Sequence, residues 1–169
     1  MKKNLVLTGM MGVGKSTIGK NLSDSLNMNF IDTDKIIEKK AQMSIEEIFK
    51  HKGEEYFRDI EKEVCFSSLK ENNSVIALGG GAFMDQDLRD IIIAKCVSFW
   101  LDLGTETLEK RLIISKKRPL VNGKNLKKNL LNIYDKRKSI YKLANFKITC
   151  DEKSIQLIVN NITQIYENK

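Results

Sequence analysis

The stretch Gly9-Met10-Met11-Gly12-Val13-Gly14-Lys15-Ser16 constrains this chain more than any other part of it. It fits the pattern G-x-x-x-x-G-K-[ST], follows the apolar run Asn4–Thr8 and opens a helical segment at Ser16-Thr17-Ile18. Strand, glycine loop and helix in that order are what a polyphosphate cradle requires. The loop must bring several backbone N–H groups onto one phosphate, in conformations and at distances that a Cβ would obstruct. The helix that follows turns the positive end of its dipole towards the anion. The amides of Gly12, Val13 and Gly14, together with Lys15, Ser16 and Thr17, would grip the nucleotide phosphates. Lys15 would bridge β- and γ-phosphate oxygens as the bond to the leaving oxygen lengthens, and the Ser16 hydroxyl would bind Mg²⁺.

Such a loop leaves the phosphoryl acceptor open, because GTPases, ATPases and small-molecule kinases share it. The absence of an Asn-Lys-x-Asp guanine-reading motif argues against a GTPase switch. Around the loop, short β-rich runs alternate with stretches of helical period, the pattern of a parallel sheet covered by helices on both faces. Strands are expected at Asn4–Thr8, Asn29–Asp32, Ser74–Leu78, Val97–Leu101 and Phe146–Cys150. Helices are expected at Lys15–Leu26, Ser44–Lys52, Glu54–Lys70, Thr105–Ile114, Leu126–Leu143 and Ser154–Tyr166. Ser44-Ile45-Glu46-Glu47 reads as a capping box. Ser115–Asn125, with Pro119, Asn122-Gly123 and a cluster of basic residues, reads as a mobile loop.

The length of 169 residues suits one core, so one domain over 1–169 is expected. No apolar run approaches the roughly 20 residues that span a bilayer, and the expectation is a cytoplasmic protein without membrane contact. The net charge of +7 would suit nucleic acid, or equally a pocket for phosphates and carboxylates. Much of the excess lies in Lys116-Lys117-Arg118 and Lys136-Arg137-Lys138, without interleaved aromatic residues, so nucleic acid is not expected as a partner. Cys65, Cys96 and Cys150 lack ligand or disulfide spacing and read as reduced thiols; His51 reads as a solvated helix end.

Four further motifs bear on the acceptor. Phe30-Ile31-Asp32-Thr33-Asp34 ends the second strand with two carboxylates separated by one residue, which in extended backbone point to the same side. Asp32 could hold Mg²⁺ through water and Asp34 could receive the proton of the attacking hydroxyl; a turn at Asp32 with a helix cap at Asp34 is the alternative. Arg58 and Glu61, three apart on one helix face, make a guanidinium held for a carboxylate, or a plain surface ion pair. Gly79-Gly80-Gly81 directly follows a strand and lets backbone approach a ligand, or is a flexible turn. Arg118 lies in the loop, where closure would deliver charge to a developing transition state, or where it is simply solvated.

Taken together, the loop Gly9–Ser16, Asp32-Thr33-Asp34, Gly53-Glu54-x-x-Phe57-Arg58-x-x-Glu61, Gly79-Gly80-Gly81, Arg118-Pro119-Leu120 and Tyr134-x-x-Arg137 resemble the shikimate kinase family in order and separation. The resemblance runs from about residue 4 to about residue 150. It implies a nucleoside-monophosphate-kinase-like α/β fold: a five-stranded parallel sheet of order 2-3-1-4-5 sandwiched by helices, a substrate region at about 32–61 and a lid at about 113–125. It implies transfer of the γ-phosphoryl of ATP to the 3-hydroxyl of shikimate, on the route to chorismate and the aromatic amino acids, with Mg²⁺ as cofactor. Asp34, Arg58, Gly80, Gly81 and Arg137 would then form the shikimate site. Lys15 and Arg118 would stabilise transition-state charge with Asp34 at the hydroxyl, Ser16 and Asp32 would hold Mg²⁺, and Arg111 would stack on adenine. The chain departs from some relatives at Cys150-Asp151-Glu152-Lys153-Ser154, which lacks a proline in the adenine-contacting loop. Trp100 is expected in the core, Met10 and Met11 without chemical role, and the protein as a monomer. A gluconate or nucleoside-monophosphate kinase, and a non-catalytic nucleotide switch, are the rival readings.

Overall fold

The structure, a computed structural model, describes residues 3–115 and 125–169. Its centre is the strand β1 (Leu5–Thr8), in which all four residues are buried. A short run that is apolar on both faces suits the middle of a parallel sheet covered on both sides. β1 pairs in parallel with β3 (Ser74–Ala77) through Leu5 against Val75, and with β4 (Val97–Asp102) through Leu5 against Val97. β2 (Asn29–Asp32) and β5 (Phe146–Thr149) complete the sheet as edges, giving the order β2-β3-β1-β4-β5. This is the order the resemblance implies, and the five strand positions agree with the sequence reading to within one residue.

Helix α1 (Lys15–Leu26) leaves the phosphate loop and ends at Asn27, whose left-handed backbone returns its N–H to Ser23 O. It packs on α8 (Ile155–Glu167) and β3. The β1–α1–β2 crossover runs along the sheet opposite to all later ones. With every crossover right-handed, α1 lies on one face and the later connecting helices on the other. These are α2 (Thr33–Ala41), α3 (Ile45–His51), α4 (Gly53–Ser68), α5 (Gln86–Lys95), α6 (Thr105–Ser115) and α7 (Leu126–Tyr141). The Ser44 capping box forms as expected: Ser44 Oγ accepts from Glu47 N at 3.2 Å and Glu47 Oε2 accepts from Ser44 N at 2.7 Å.

Two helices were not expected. α5 begins where the Asp85 carboxylate accepts from Leu88 N at 2.9 Å, and buries Leu88 and Ile92, one helical turn apart. α2 begins directly at Thr33, so Asp32 is extended at the end of β2 as expected, but the extended reading fails at Asp34. Asp32 is itself the helix cap, accepting from Lys35 N at 3.3 Å, and Asp34 lies in the first helical turn. Ser115, expected to open the loop at 115–125, is the last residue of α6, and residues 116–124 lie outside the described residues.

The main core surrounds the sheet and includes Phe83, Phe99, Trp100 and Tyr141, so Trp100 sits where expected. A satellite core of Ile37, Ile48, Phe57, Ile60 and Val64 joins α2, α3 and α4. It holds together the helices that carry Asp34 and Arg58. All three cysteines are buried and free, and His51 is the exposed last residue of α3. Among the described residues no helix is long and apolar enough to cross a membrane.

A fully buried hydroxyl ties the start of α2 to the end of β3: Thr33 Oγ1 donates to Ala77 O at 3.2 Å and accepts from Gly79 N at 3.0 Å. Thr33→Val keeps the shape and removes both bonds, leaving a buried N–H unpaired. The expected cost is about 1–3 kcal/mol in urea unfolding; an unchanged midpoint would show that the tie contributes nothing.

Candidate functional site

The phosphate loop joins β1 to α1 at the carboxyl edge of the sheet, beside the point where strand order reverses, where open α/β folds bind ligands. Gly9 has φ 138°, and a Cβ there would stand 2.4 Å from Leu101 O on β4. The loop therefore passes so close to the neighbouring strand that only glycine fits. Lys15 is buried, and its ammonium donates to Gly9 O at 2.8 Å and Met10 O at 3.0 Å. Lys15, Ser16, Thr17, Asp32 and Asp34 line a cleft of about 170 Å³ together with Gly12 and Gly14. The sequence-predicted phosphate and Mg²⁺ residues thus share one space. Asp32 and Asp34 both reach it although the backbone between them is not extended.

A cavity of about 500 Å³ adjoins this cleft and shares Ser16, Asp32 and Asp34 with it. Arg58, Gly80, Gly81 and Arg137 line the cavity, so four of the five acceptor residues expected from sequence meet around Asp34, the fifth. They come from four places: α2 gives Asp34, α4 gives Arg58, the turn after β3 gives the glycines and α7 gives Arg137.

Arg58 is held from two sides. Its Nη1 donates to Glu61 Oε2 at 2.7 Å, while Nη2 and Nε donate to Glu54 Oε1 at 3.1 and 3.3 Å. Glu61 is buried, and burial pushes its carboxyl above the usual range; Arg58 and Arg137 pull it down and Asp34 pushes it further up. Burial works against the Arg58 cation, but Glu61 and Glu54 together outweigh it and hold the guanidinium charged. Among the charged side chains that line the cavity, the guanidiniums of Arg58 and Arg137 can hold an acidic group, and the carboxylates of Asp34 and Glu61 stand side by side at Gly79.

The glycine turn explains how these groups come so close. A Cβ on Gly79 would stand 2.7 Å from both Asp34 Oδ1 and Glu61 Oε1, and one on Gly81 would stand 2.5 Å from Arg58 Nη1. The sequence reading gave the glycines to ligand approach; the structure uses the space for the site's own charged side chains. Arg137 Nη1 donates to Gly80 O at 3.0 Å.

Other residues were missed or undervalued in the sequence. Phe49 and Phe57 pair at 4.7 Å between ring centroids and line the cavity's apolar side. Their spacing across the α3–α4 junction carries no helical period that would have paired them. Met11, expected to have no role, also lines this cavity. Arg111 donates to Val13 O at 3.0 Å, so its guanidinium lies on the phosphate loop. Near the expected adenine side, both Asp151 oxygens accept from Gly104 N, at 3.0 and 3.2 Å. Arg118 lies outside the described residues.

Comparison with known proteins follows the same lines. The sequence model of the shikimate kinase family matches residues 11–167. A shikimate kinase of Bartonella quintana (strain Toulouse) is 38% identical over 167 residues, covering 99% of this chain and 80% of that protein. One of Sulfurihydrogenibium sp. (strain YO3AOP1) is 38% identical over 160 residues, covering 95% of each. Among solved structures, a shikimate kinase from Acinetobacter baumannii in complex with shikimate superposes with a TM-score of 0.95 at 30% identity, covering 100% of this chain and 96% of that one.

Gly81→Ala tests the geometry, because the atom a methyl would strike is the far end of a flexible side chain. The thermal midpoint should move by a few degrees at most. Affinity for the acidic acceptor should fall roughly 10- to 100-fold, the scale of losing a charge-assisted hydrogen bond. A large drop in midpoint with affinity intact would mean that the turn yields and Arg58 does not.

Proposed function

The chain belongs to the shikimate kinase family, and on that premise we propose how its residues carry the γ-phosphoryl group of ATP to a hydroxyl of shikimate. The observation that supports this reading best is the contact between the two spaces. Ser16, Asp32 and Asp34 belong to the phosphate cleft and to the acceptor cavity at once, so donor and acceptor sites meet at these three side chains.

In this reading Lys15 leaves the loop carbonyls for β- and γ-phosphate oxygens, where its charge offsets that of the departing nucleoside diphosphate. Arg58 and Arg137 bind the acceptor's carboxylate, with Glu61 and Glu54 fixing the plane of Arg58 so that two parallel bonds can form. Asp34 takes a hydrogen bond from the reacting hydroxyl and receives its proton as the new bond forms. Phe49, Phe57 and Met11 cover the apolar part of the ring and keep water from the acceptor. Arg118 and Arg111 are assigned the transition-state charge and the nucleotide base, on the resemblance alone.

For Mg²⁺, the residues fit. Among the described residues no group of three or more His, Cys, Asp or Glu side chains converges on one point. One hydroxyl and one carboxylate, Ser16 and Asp32, do share the phosphate cleft. Mg²⁺ in kinases keeps waters and phosphate oxygens as most of its ligands, so two protein oxygens suffice. When bound, it would neutralise phosphate charge.

A coupled ADP-release assay across shikimate, gluconate, AMP, CMP and dTMP tests the acceptor. ADP release that depends on shikimate alone is expected, and turnover only with another acceptor would overturn the reading. Lys15→Ala should abolish transfer, and near-normal turnover in that variant would remove Lys15 from the mechanism. Arg58→Lys should raise the KM for shikimate about tenfold or more, since one ammonium cannot replace a planar fork, with the KM for ATP little changed. An unaltered shikimate KM would place the carboxylate elsewhere.

A further inference from the structure

The turn Gly79-Gly80-Gly81 has no side chains with which to anchor itself, yet its position decides where Asp34, Arg58 and Arg137 stand. Gly79 is fixed by Thr33, and the short 3₁₀ turn Ala82–Met84 follows with Ala82 N donating to Gly79 O and Met84 N to Gly81 O. Between them, the Gly80 carbonyl receives two donors from α7: Arg137 Nη1, and the hydroxyl of Tyr141 one helical turn later. Tyr141 has no exposed surface, and its ring stacks on Trp100 at 6.0 Å between centroids and 24° between planes. The phenol is thus fixed in direction. Burial raises its pKa to about 12, so it remains a neutral donor throughout the working range.

We propose that Tyr141 is a positioning residue for the acceptor: its buried hydroxyl occupies one lone pair of Gly80 O, fixes the glycine turn, and thereby sets the angle at which Arg137, bound to the same oxygen, meets the substrate carboxylate. This rests on the reading of Arg137 as a carboxylate ligand. A carbonyl oxygen has two lone pairs. With the Tyr141 hydroxyl in place, Arg137 has one direction of approach to Gly80 O. Without it, the oxygen can turn to meet the guanidinium, and both the turn and Arg137 shift away from the cavity. Gly80 also packs against the phosphate loop, where a Cβ would be 3.3 Å from Met11 N, yet with Gly81 it lines the acceptor cavity and neither lines the phosphate cleft. The effect of a shifted turn should therefore fall on the acceptor.

α7 carries an internal control. Tyr134, seven residues before Tyr141, donates its hydroxyl to Asp102 Oδ1 at 3.0 Å, where Asp102 also pairs with Lys147 at 2.8 Å. Tyr134→Phe and Tyr141→Phe each delete one phenol hydrogen bond that seats the same helix, but only the second touches Gly80. The experiment is steady-state kinetics of both variants with shikimate and ATP varied separately, beside Arg137→Lys and the Tyr141→Phe/Arg137→Lys double variant. Tyr141→Phe should raise the KM for shikimate about tenfold, the scale of one buried hydrogen bond, with the KM for ATP unchanged; Tyr134→Phe should leave both KM values near those of the parent. The double variant should lose less than the product of the single losses, because both act through one oxygen. Equal effects of the two phenol deletions, or fully multiplicative losses, would reduce Tyr141 to a helix anchor and overturn the inference. Absence of shikimate turnover in the unaltered enzyme would instead overturn the acceptor reading itself, and Tyr141's role with it.

Discussion

The close approach of Gly80 to the phosphate loop governs this site. Phosphoryl transfer leaves little covalent work for the protein, so catalysis depends on holding donor and acceptor at contact distance. Here two backbones meet with no side chain between them: Gly80 lies within a Cβ's reach of Met11 N and Gly9 O. Gly9 in turn fits against Leu101 O on β4, so the acceptor turn, the phosphate loop and β4 form three layers of bare backbone. A side chain at Gly80 would crowd Met11 N from 3.3 Å, and one at Gly9 would strike Leu101 O at 2.4 Å, so each glycine answers to its own backbone contact.

The same economy shapes the electrostatics. A buried glutamate beside an aspartate is costly, and Glu61 shows it by its raised pKa. The cost has a use. Arg58 alone would be a flexible surface cation; bonded to Glu61 on one side and Glu54 on the other, it keeps one plane. A guanidinium ordered beforehand loses less freedom when it binds a carboxylate, and affinity rises accordingly. Glu61 can come this close only because Gly79 offers no Cβ, so backbone spacing and charge placement are one constraint seen from two sides.

How much of this could be read from the chain alone depended on the range of each signal. The phosphate loop is a local pattern whose strand, turn and helix are neighbours in sequence, and α1 was bounded to the residue. The Ser44–Glu47 box was equally local. Asp32 and Asp34 do meet at the cleft, but not by the geometry that the alternation argument supposed. The alternation argument assumed a strand that continues, whereas the Asp32 carboxylate caps α2 and curls the chain at Thr33. Both side chains still reach the cleft because the first turn of a helix that starts at a strand's end stays at the sheet edge. The Phe49–Phe57 pair and the Tyr141 hydroxyl could not be found this way. Each depends on a contact between separate elements, with Tyr141 and Gly80 61 residues apart, and a tyrosine late in an amphipathic helix reads only as core.

Lys15 shows how the site can be ready without a ligand. An ammonium so deeply buried needs partners, and the loop supplies two of its own carbonyls, Gly9 and Met10. Those are neutral acceptors. Phosphate oxygens are charged ones, and charge-assisted bonds are roughly twice as strong as neutral pairs. In the proposed role, the exchange on nucleotide binding would trade these neutral acceptors for charged ones, with the ammonium already ordered beside the loop. The advantage would then grow as negative charge accumulates on the leaving oxygen, so the lysine would favour the transition state over the ground state. The loop holds the ammonium in the phosphate cleft, from which that role would have it pass to the phosphate oxygens.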